Sequence, residues 1–150
     1  MAVNLLEKSL TDFIKPCEKL TDYIKVYDDV CSEALCNLII DSFESEPKSH
    51  TFIDKSQRPT FTEMNISQQY MKKNPTWMGI QKQVQSVFIE YVSKYMDELD
   101  LGPDFPDKYA FEEFRVKRYR ENSTDEFADH VDVGDHNSAR RFLVCFLYLN

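Results

Sequence analysis

Hydrophobic residues recur at intervals of three or four along the first hundred residues, which is the spacing of one face of an α-helix. The pattern predicts helices over residues 3–14, 32–43 and 75–99. The last of these has the strongest start signal, because Asn74 is a good N-cap and Pro75 suits the first helical position. Residues 45–58 are polar and rich in turn formers, so we expect a loop between the second and third helices.

The pattern changes from residue 110 onward. Runs rich in aromatic and β-branched residues alternate with polar turns, which is typical of β-structure. With one earlier run, they predict strands over residues 59–67, 111–120, 127–132 and 140–149. The last run is apolar from Phe142 to Leu149, which predicts a strand buried on both faces. Helices followed by consecutive strands indicate an α+β fold, with helices packed on one side of a β-sheet.

Composition narrows the class of protein. With 150 residues, 42% of them hydrophobic, the chain is expected to form a single folded domain. The formal net charge of −8 disfavours nucleic acid and anionic membrane surfaces as partners, because both are bound by clustered Lys and Arg. The chain has only three glycines and no Gly-rich loop, which disfavours a nucleotide site of the P-loop or Rossmann kind.

Cysteine usage and the absence of long apolar runs bear on the location of the protein. The four cysteines form no CxxC pair and are expected to be reduced thiols; they are Cys17, Cys31, Cys36 and Cys145. No apolar run reaches the length of a membrane span, and residues 1–13 carry acidic groups where a signal peptide would be basic and apolar. We therefore expect a cytoplasmic protein.

Candidate chemistry is concentrated in the stretch FADHVDVGDH, residues 127–136. His130 and Asp132 are two apart, which on a strand places both side chains on one face, about 6.6–7 Å apart along the backbone. An imidazole and a carboxylate can take adjacent positions on one metal, as in the 2-His-1-carboxylate facial triad of non-haem iron oxygenases. The alternative for so short a motif is an exposed acidic turn in which the histidine only pairs with the aspartate.

A compact local site is a second possibility for the same stretch. His130, Asp132, Asp135 and His136 fall within seven residues, and Gly134 would let the backbone fold back. Such a set could hold Zn²⁺ or another divalent ion. Otherwise His136 is expected in a loop at the mouth of the site, and His50, in the polar linker, is expected to be exposed.

Residues 111–150 resemble the start of the catalytic core of prolyl 4-hydroxylase-type 2-oxoglutarate/Fe(II) dioxygenases. The shared pattern is an Arg-Tyr that ends one strand, a polar loop, H-x-D, and an Arg before an apolar strand that ends L-Y-L-N. Upstream, IKVYDDVCSEALCNLII looks like the strand-then-helix entry of this superfamily. The resemblance implies a double-stranded β-helix (jelly roll) with N-terminal helices packed on one sheet. Residues 1–110 would be a helical support region and residues 111–150 the first core strands.

The resemblance also implies an activity and its cofactors. The protein would hydroxylate an aliphatic C–H bond of a peptidyl proline, or of a related peptide or amino-acid side chain. It would bind Fe(II), use 2-oxoglutarate and O₂ as co-substrates, and accept ascorbate as an optional reductant. His130 and Asp132 match the first two iron ligands of the family.

Further site residues follow from the same resemblance, each with a structural alternative. Tyr148 and Tyr119 match tyrosines that line the 2-oxoglutarate pocket, although Tyr148 could belong to the core and Tyr119 to an amphipathic surface. Arg141, with Arg140 as the second choice, matches an arginine near the substrate side of the iron. Both arginines could instead only neutralise the acidic loop.

One departure from the family is large. Its members carry a second iron-binding histidine and a basic residue that clamps the co-substrate on later strands, and neither is expected before Asn150. We therefore expect the N-terminal portion of a catalytic domain, completed by further polypeptide or within a homo-oligomer. The alternative is a catalytically incomplete fragment, or half of a split enzyme, that acts as a binding module.

Overall fold

The computed structural model of the protein describes residues 19–55, 59–121 and 124–150. Its helices are α1 (Glu33–Ser45), α2 (Ile66–Met71) and α3 (Pro75–Glu98), and its strands are β1 (Thr51–Asp54), β2 (Thr60–Asn65) and β3 (Arg115–Arg118). Short 3-10 turns lie at Leu20–Tyr23, Pro47–Ser49 and Ser138–Arg140. These elements form an α+β structure, as predicted. The helix predicted over residues 3–14 and Cys17 lie outside the described residues.

Side-chain caps fix where the two long helices begin. The Ser32 hydroxyl accepts a hydrogen bond from the Leu35 amide at 3.2 Å, at the start of α1. The Asn74 side chain accepts from the amides of Thr76 and Trp77 at the start of α3, where Pro75 takes the first helical position. Each cap satisfies amides that have no partner within the helix. The start of the third predicted helix is therefore confirmed.

The three strands form one antiparallel sheet in the order β1-β2-β3. In its register, Phe61 of β2 lies opposite Ile53 of β1, and Glu63 of β2 lies opposite Lys117 of β3. Because successive side chains of a strand point to opposite faces, the sheet has two distinct faces. We call the face that carries Met64 the helix-covered face. The other is the second face, defined by Ile53, Phe61, Glu63, Lys117 and Tyr119.

The hydrophobic core lies between the helix-covered face and the helices α1 and α3. Its largest fully buried side chains come from all three elements; they are Trp77, Phe43, Ile39, Met64 and Ile80. The Trp77 indole N–H donates to the Glu46 carboxylate at 3.1 Å, so the one polar atom of this ring is satisfied. The core therefore joins the ends of the helices to the central strand of the sheet.

Before residue 110 one part of the predicted element pattern is wrong, and one predicted strand is present but shorter. Residues 45–58 are not a continuous loop, because Thr51–Asp54 form edge strand β1. The strand predicted over 59–67 ends at Asn65, where the Asn65 side chain caps α2 by accepting from the Gln68 amide at 3.0 Å. In the first place, a short Thr-Phe-Ile run forms a strand within an otherwise polar segment. In the second, the Asn cap begins a helix within a segment whose composition favours a strand.

The strands predicted over residues 127–132 and 140–149 are also wrong. Neither range contains a strand, and the backbone of residues 142–150 makes no hydrogen bond to another backbone group of the described chain. The run is not buried on both faces either. Its even-numbered residues from Phe142 to Tyr148 are exposed, while Leu147 and Leu149 pack against the core. An apolar run becomes a strand only where a neighbouring strand pairs with its backbone.

No helix in the described ranges is both long enough and apolar enough to cross a membrane.

We expect core burial in α3 to dominate stability. Replacing Ile80, which is 0% exposed, with alanine should lower the free energy of unfolding by about 2–5 kcal/mol. The same change at Ile89, which lies on the same helix and is 48% exposed, should lower it by less than about 1 kcal/mol. Urea unfolding of both variants measures the difference. Equal losses would contradict the placement of the core.

Candidate metal centre

The segment that carries the candidate ligands rejoins the sheet through an isolated bridge. The amide of Thr60 donates to the carbonyl of Glu126 at 2.9 Å, and the amide of Glu126 donates back at 3.1 Å. Thr60 begins β2, so the bridge holds residue 126 beside the sheet. The next residue, Phe127, then lies on the second face with its ring 5.7 Å from that of Phe61.

His130 is held in place by two contacts. Its ring centroid lies 4.0 Å from that of Phe127, in an edge-on arrangement. Its Nδ1 lies 2.9 Å from the carbonyl oxygen of Ala128. A carbonyl oxygen can only accept, so Nδ1 carries the hydrogen of this contact, and Nε2 is the ring nitrogen left for another partner. Metal-binding histidines are oriented by the same kind of bond from the other ring nitrogen.

Nε2 of His130 faces a carboxylate. Nε2 of His130 and Oδ1 of Asp132 are 3.3 Å apart, and the two side chains are 46% and 40% exposed. Two acceptors at this distance attract each other only when a proton or a cation lies between them. Atoms bound at adjacent positions of one metal, each at about 2.1 Å, lie about 3 Å apart. The distance fits a hydrogen bond within the pair, which is the alternative of a histidine that only pairs with the aspartate, and it fits equally two adjacent ligands of a divalent ion.

Arg141 fixes the backbone of Asp132. Its Nη1 donates to the Asp132 carbonyl at 2.9 Å, while Nε and Nη2 donate to the two carboxylate oxygens of Glu112 at 2.7 and 3.0 Å. A two-point bond of this kind fixes the plane of the guanidinium. Arg141 therefore holds the backbone of the loop that carries the candidate pair. Arg140 has no ion-pair partner among the described residues.

Tyr119 and Tyr148 lie on the same side of the sheet as the candidate pair. The Tyr119 ring packs 5.3 Å from Phe61. Burial, with the nearby Glu63 and Tyr148, raises the pKa of Tyr119, so its phenol keeps the hydrogen and can donate it. Tyr148 is 84% exposed, which rules out the core position considered for it. Tyr119 is thus linked to Phe127 through the Phe61 ring, and Tyr148 lies near Tyr119.

The compact four-residue site is not formed. No group of three or more His, Cys, Asp or Glu side chains that could hold a metal occurs in the described ranges. Asp135 instead accepts from the amide and hydroxyl of Ser138, at 2.8 and 2.7 Å, which closes a tight turn. His136 is exposed in the same loop. Within the described residues, His130 and Asp132 stand as a pair.

The remaining histidine has a structural role that the sequence did not predict. His50 is half-buried: its Nε2 lies 2.8 Å from the carbonyl oxygen of Phe43. Its ring stacks on the Phe43 ring at 4.0 Å. The expectation that His50 would be exposed is therefore wrong, and its contact with Phe43, near the end of α1, places it against the core.

Four contributors to the centre were not predicted from sequence. The Phe127 ring, the Ala128 carbonyl and the Glu112 carboxylate orient the pair and its support, and Lys117 places its ammonium over the Phe127 ring at 4.9 Å. The position of Lys117 could have been predicted, because it is two residues before Tyr119 and therefore lies on the same face in an extended segment. The other three contacts depend on loop conformation, which the spacing of residues does not reveal.

Comparison with protein-family models, with curated proteins and with solved structures found no match. The centre is thus defined by its own contacts. Those contacts hold an imidazole nitrogen and a carboxylate oxygen side by side, next to the ring of Phe127.

The ion pair that supports the loop should be visible in the titration of Glu112. The hydrogen bonds from Arg141 hold the pKa of this carboxyl below its usual 4.5. Its contribution to stability is therefore present above pH 4.5 and is lost as the pH falls through the lower value of the folded protein. Carboxyl ¹³C chemical shifts should show Arg141→Ala raising the pKa of Glu112. Arg140→Ala is the control, and an equal rise there would contradict the assignment.

Proposed function

We propose that this chain is part of a 2-oxoglutarate- and Fe(II)-dependent dioxygenase of the prolyl 4-hydroxylase type, and that His130 and Asp132 bind the iron. The observation that carries the proposal is the 3.3 Å approach of His130 Nε2 to Asp132 Oδ1, with Nδ1 bonded to a backbone carbonyl. A neutral imidazole and one carboxylate are the donors that non-haem Fe(II) oxygenases use, with open positions left over. The resemblance of residues 111–150 to the family gives the same pair independently.

Each side chain of the centre has a role in this proposal. Bound Fe(II) would supply the oxidative chemistry with 2-oxoglutarate and O₂, and ascorbate would keep the metal reduced. His130 and Asp132 hold the metal, and Asp132 offsets part of its charge. Tyr119 and Tyr148 offer phenol hydrogens to a carboxylate of the co-substrate. Arg141 keeps the loop in place, and the exposed Arg140 is the second choice for the arginine near the substrate.

Substrate and location follow the family rather than the geometry. We infer an aliphatic C–H of a peptidyl proline, or of a related peptide or amino-acid side chain, as the substrate. The formal charge of −8 continues to disfavour nucleic acid. The free thiols of Cys31, Cys36 and Cys145 are consistent with a cytoplasmic protein. Among the described residues, helices cover one face of the small antiparallel sheet, which is compatible with the first strands of a jelly roll.

The exposed run Phe142–Leu149 favours completion of the centre by a second polypeptide or a second copy of this chain. Its backbone groups have no backbone partner in the described residues, and its even-numbered apolar side chains face solvent. A strand added to such a segment would pair with its backbone groups and cover its exposed apolar side chains. The same observation supports a second candidate function, in which the chain is a catalytically incomplete binding module that recognises a partner through this run.

An anaerobic titration with Fe(II) and 2-oxoglutarate tests the enzyme proposal. We expect the visible charge-transfer band of a keto acid chelated to Fe(II), because two protein ligands leave room for both oxygens of the chelate. His130→Ala should lose the band, since one of the two ligands is gone. His136→Ala is the matched control, six residues away in an exposed loop, and should keep it.

The outcomes separate the two candidate functions. A band that survives His130→Ala at full strength would show that iron binds elsewhere. A wild-type chain that gives no band at saturating Fe(II) would reject the two-ligand centre as an iron site and leave the binding module.

Association through Phe142–Leu149 is tested by sedimentation velocity. The wild-type chain should show a sedimentation coefficient that rises with concentration, because exposed apolar side chains and unpaired backbone favour strand pairing between copies. Phe146→Asp combined with Tyr148→Asp should remove the rise. Phe52→Asp, at an exposed position on the opposite edge of the sheet, is the control. A wild-type chain that is monomeric at every concentration would contradict self-association.

A further inference from the structure

A polar cleft that shares no residue with the His130–Asp132 pair lies beside α2. Its walls come from the turn Pro47–Ser49, from α2 and from the adjoining ends of the strands, and its volume is about 350 Å³. Clefts of about 300–1,000 Å³ are the usual sites of small ligands. The side chains on its walls include Lys48, Glu63, Gln69, Lys72 and Arg115.

Gln69 is a buried polar residue on the wall of this cleft. Only 7% of the residue is exposed, yet its side-chain amide has no hydrogen-bond partner among the described residues. Buried amides are nearly always paired, because a polar group that leaves water without gaining a new partner costs free energy. The N–H groups of this amide are therefore available to a molecule that binds in the cleft.

Three cations line the same cleft from different elements. Lys48 lies in the turn, Lys72 follows the last residue of α2, and Arg115 begins β3. No carboxylate of the described ranges lies within ion-pair distance of the Lys48 or the Lys72 ammonium. Both ammonium groups can therefore bind an anion without first breaking an ion pair.

Arg115 is held at the wall by a carboxylate that also bonds to β2. Oε2 of Glu113 accepts from Arg115 Nη2 at 2.7 Å and from the Asn65 side-chain amide at 2.8 Å. These bonds fix one corner of the guanidinium. Its other nitrogens have no hydrogen-bond partner in the part of the chain that the structure describes, so they can donate to a ligand.

The charge of the cleft is opposite to that of the chain. The formal net charge is −8, yet among the described residues of the lining the three cations face a single carboxylate, that of Glu63. An anion is therefore attracted to this cleft and repelled by most of the remaining surface.

We propose that this cleft binds a phosphoryl group, carried by a small phosphorylated molecule or by the phosphate ion itself. A phosphate monoester presents three acceptor oxygens and a charge of about −1.5 to −2 at neutral pH. Donors that come from a turn, a helix end and a strand match such a group better than a planar carboxylate, which offers two oxygens and one charge. The site is independent of the proposed metal centre and stands or falls without it.

An NMR titration of the metal-free chain at constant ionic strength tests the site and distinguishes the two sources. Inorganic phosphate is expected to produce saturable shifts of the Gln69 side-chain amide and of the Lys72 backbone amide, and acetate is expected to bind more weakly. The second arm uses glycerol 3-phosphate. Tighter binding of this ester would identify a phosphorylated small molecule as the ligand, whereas equal binding would identify the phosphate ion.

Three variants assign the binding to the cleft. Lys72→Met should weaken phosphate binding about five- to tenfold, the loss expected for one charge-assisted bond. Glu63→Gln should strengthen binding, because it removes a like charge from the wall. Gln69→Leu should weaken binding without lowering the free energy of unfolding, because an amide without a partner does not stabilise the ligand-free fold.

Lys82→Met is the matched control, since Lys82 is exposed on α3 and does not line the cleft. Equal weakening by Lys72→Met and Lys82→Met would show that phosphate follows the general surface charge, and would overturn the proposal. The absence of saturable shifts with both phosphate and its ester at millimolar concentration would overturn it as well. If Gln69→Leu fails to fold, Lys72→Met and Glu63→Gln still decide the result, because neither changes a buried residue.

Discussion

Burial of the apolar stripes of α1 and α3 against one face of the sheet is the contact on which the rest of the structure depends. Trp77, Phe43 and Met64, one from each element, are fully buried in it. Because side chains alternate along a strand, this burial also determines which residues of β2 and β3 turn the other way. Phe61, Lys117 and Tyr119 are gathered on the second face for that reason.

The candidate centre lies beside this second face. Hydrogen bonds to the main chain, and not a helix or a strand, hold its residues in place. The bridge between Thr60 and Glu126 returns the chain to the sheet, and Phe127 follows onto the aromatic surface. His130 then bonds to a backbone carbonyl, and Arg141 to the carbonyl of Asp132. Loops placed on a rigid scaffold in this way are common sites of binding and catalysis.

The sequence predicted the parts of the fold that depend on local chemistry. Asn74 and Pro75 fix the start of α3. The sequence predicted this start correctly because a cap acts within a few residues. The run Phe142–Leu149 was misjudged because burial and pairing depend on neighbours distant in sequence. His130 and Asp132 were proposed as candidate ligands because two residues of a strand at this spacing share a face, yet neither residue lies in a strand. Their approach results from the Ala128 and Arg141 bonds, which no spacing predicts.

Binding of Mn²⁺ followed by NMR tests the metal centre most directly, because this paramagnetic ion broadens the signals of nuclei close to it. We expect submillimolar Mn²⁺ to broaden first the signals of His130, Asp132 and Phe127, and His130→Ala to remove that selectivity. Broadening confined to Asp97 at the end of α3 and Asp100 just beyond it, with the His130 imidazole unaffected, would contradict a metal centre at this pair.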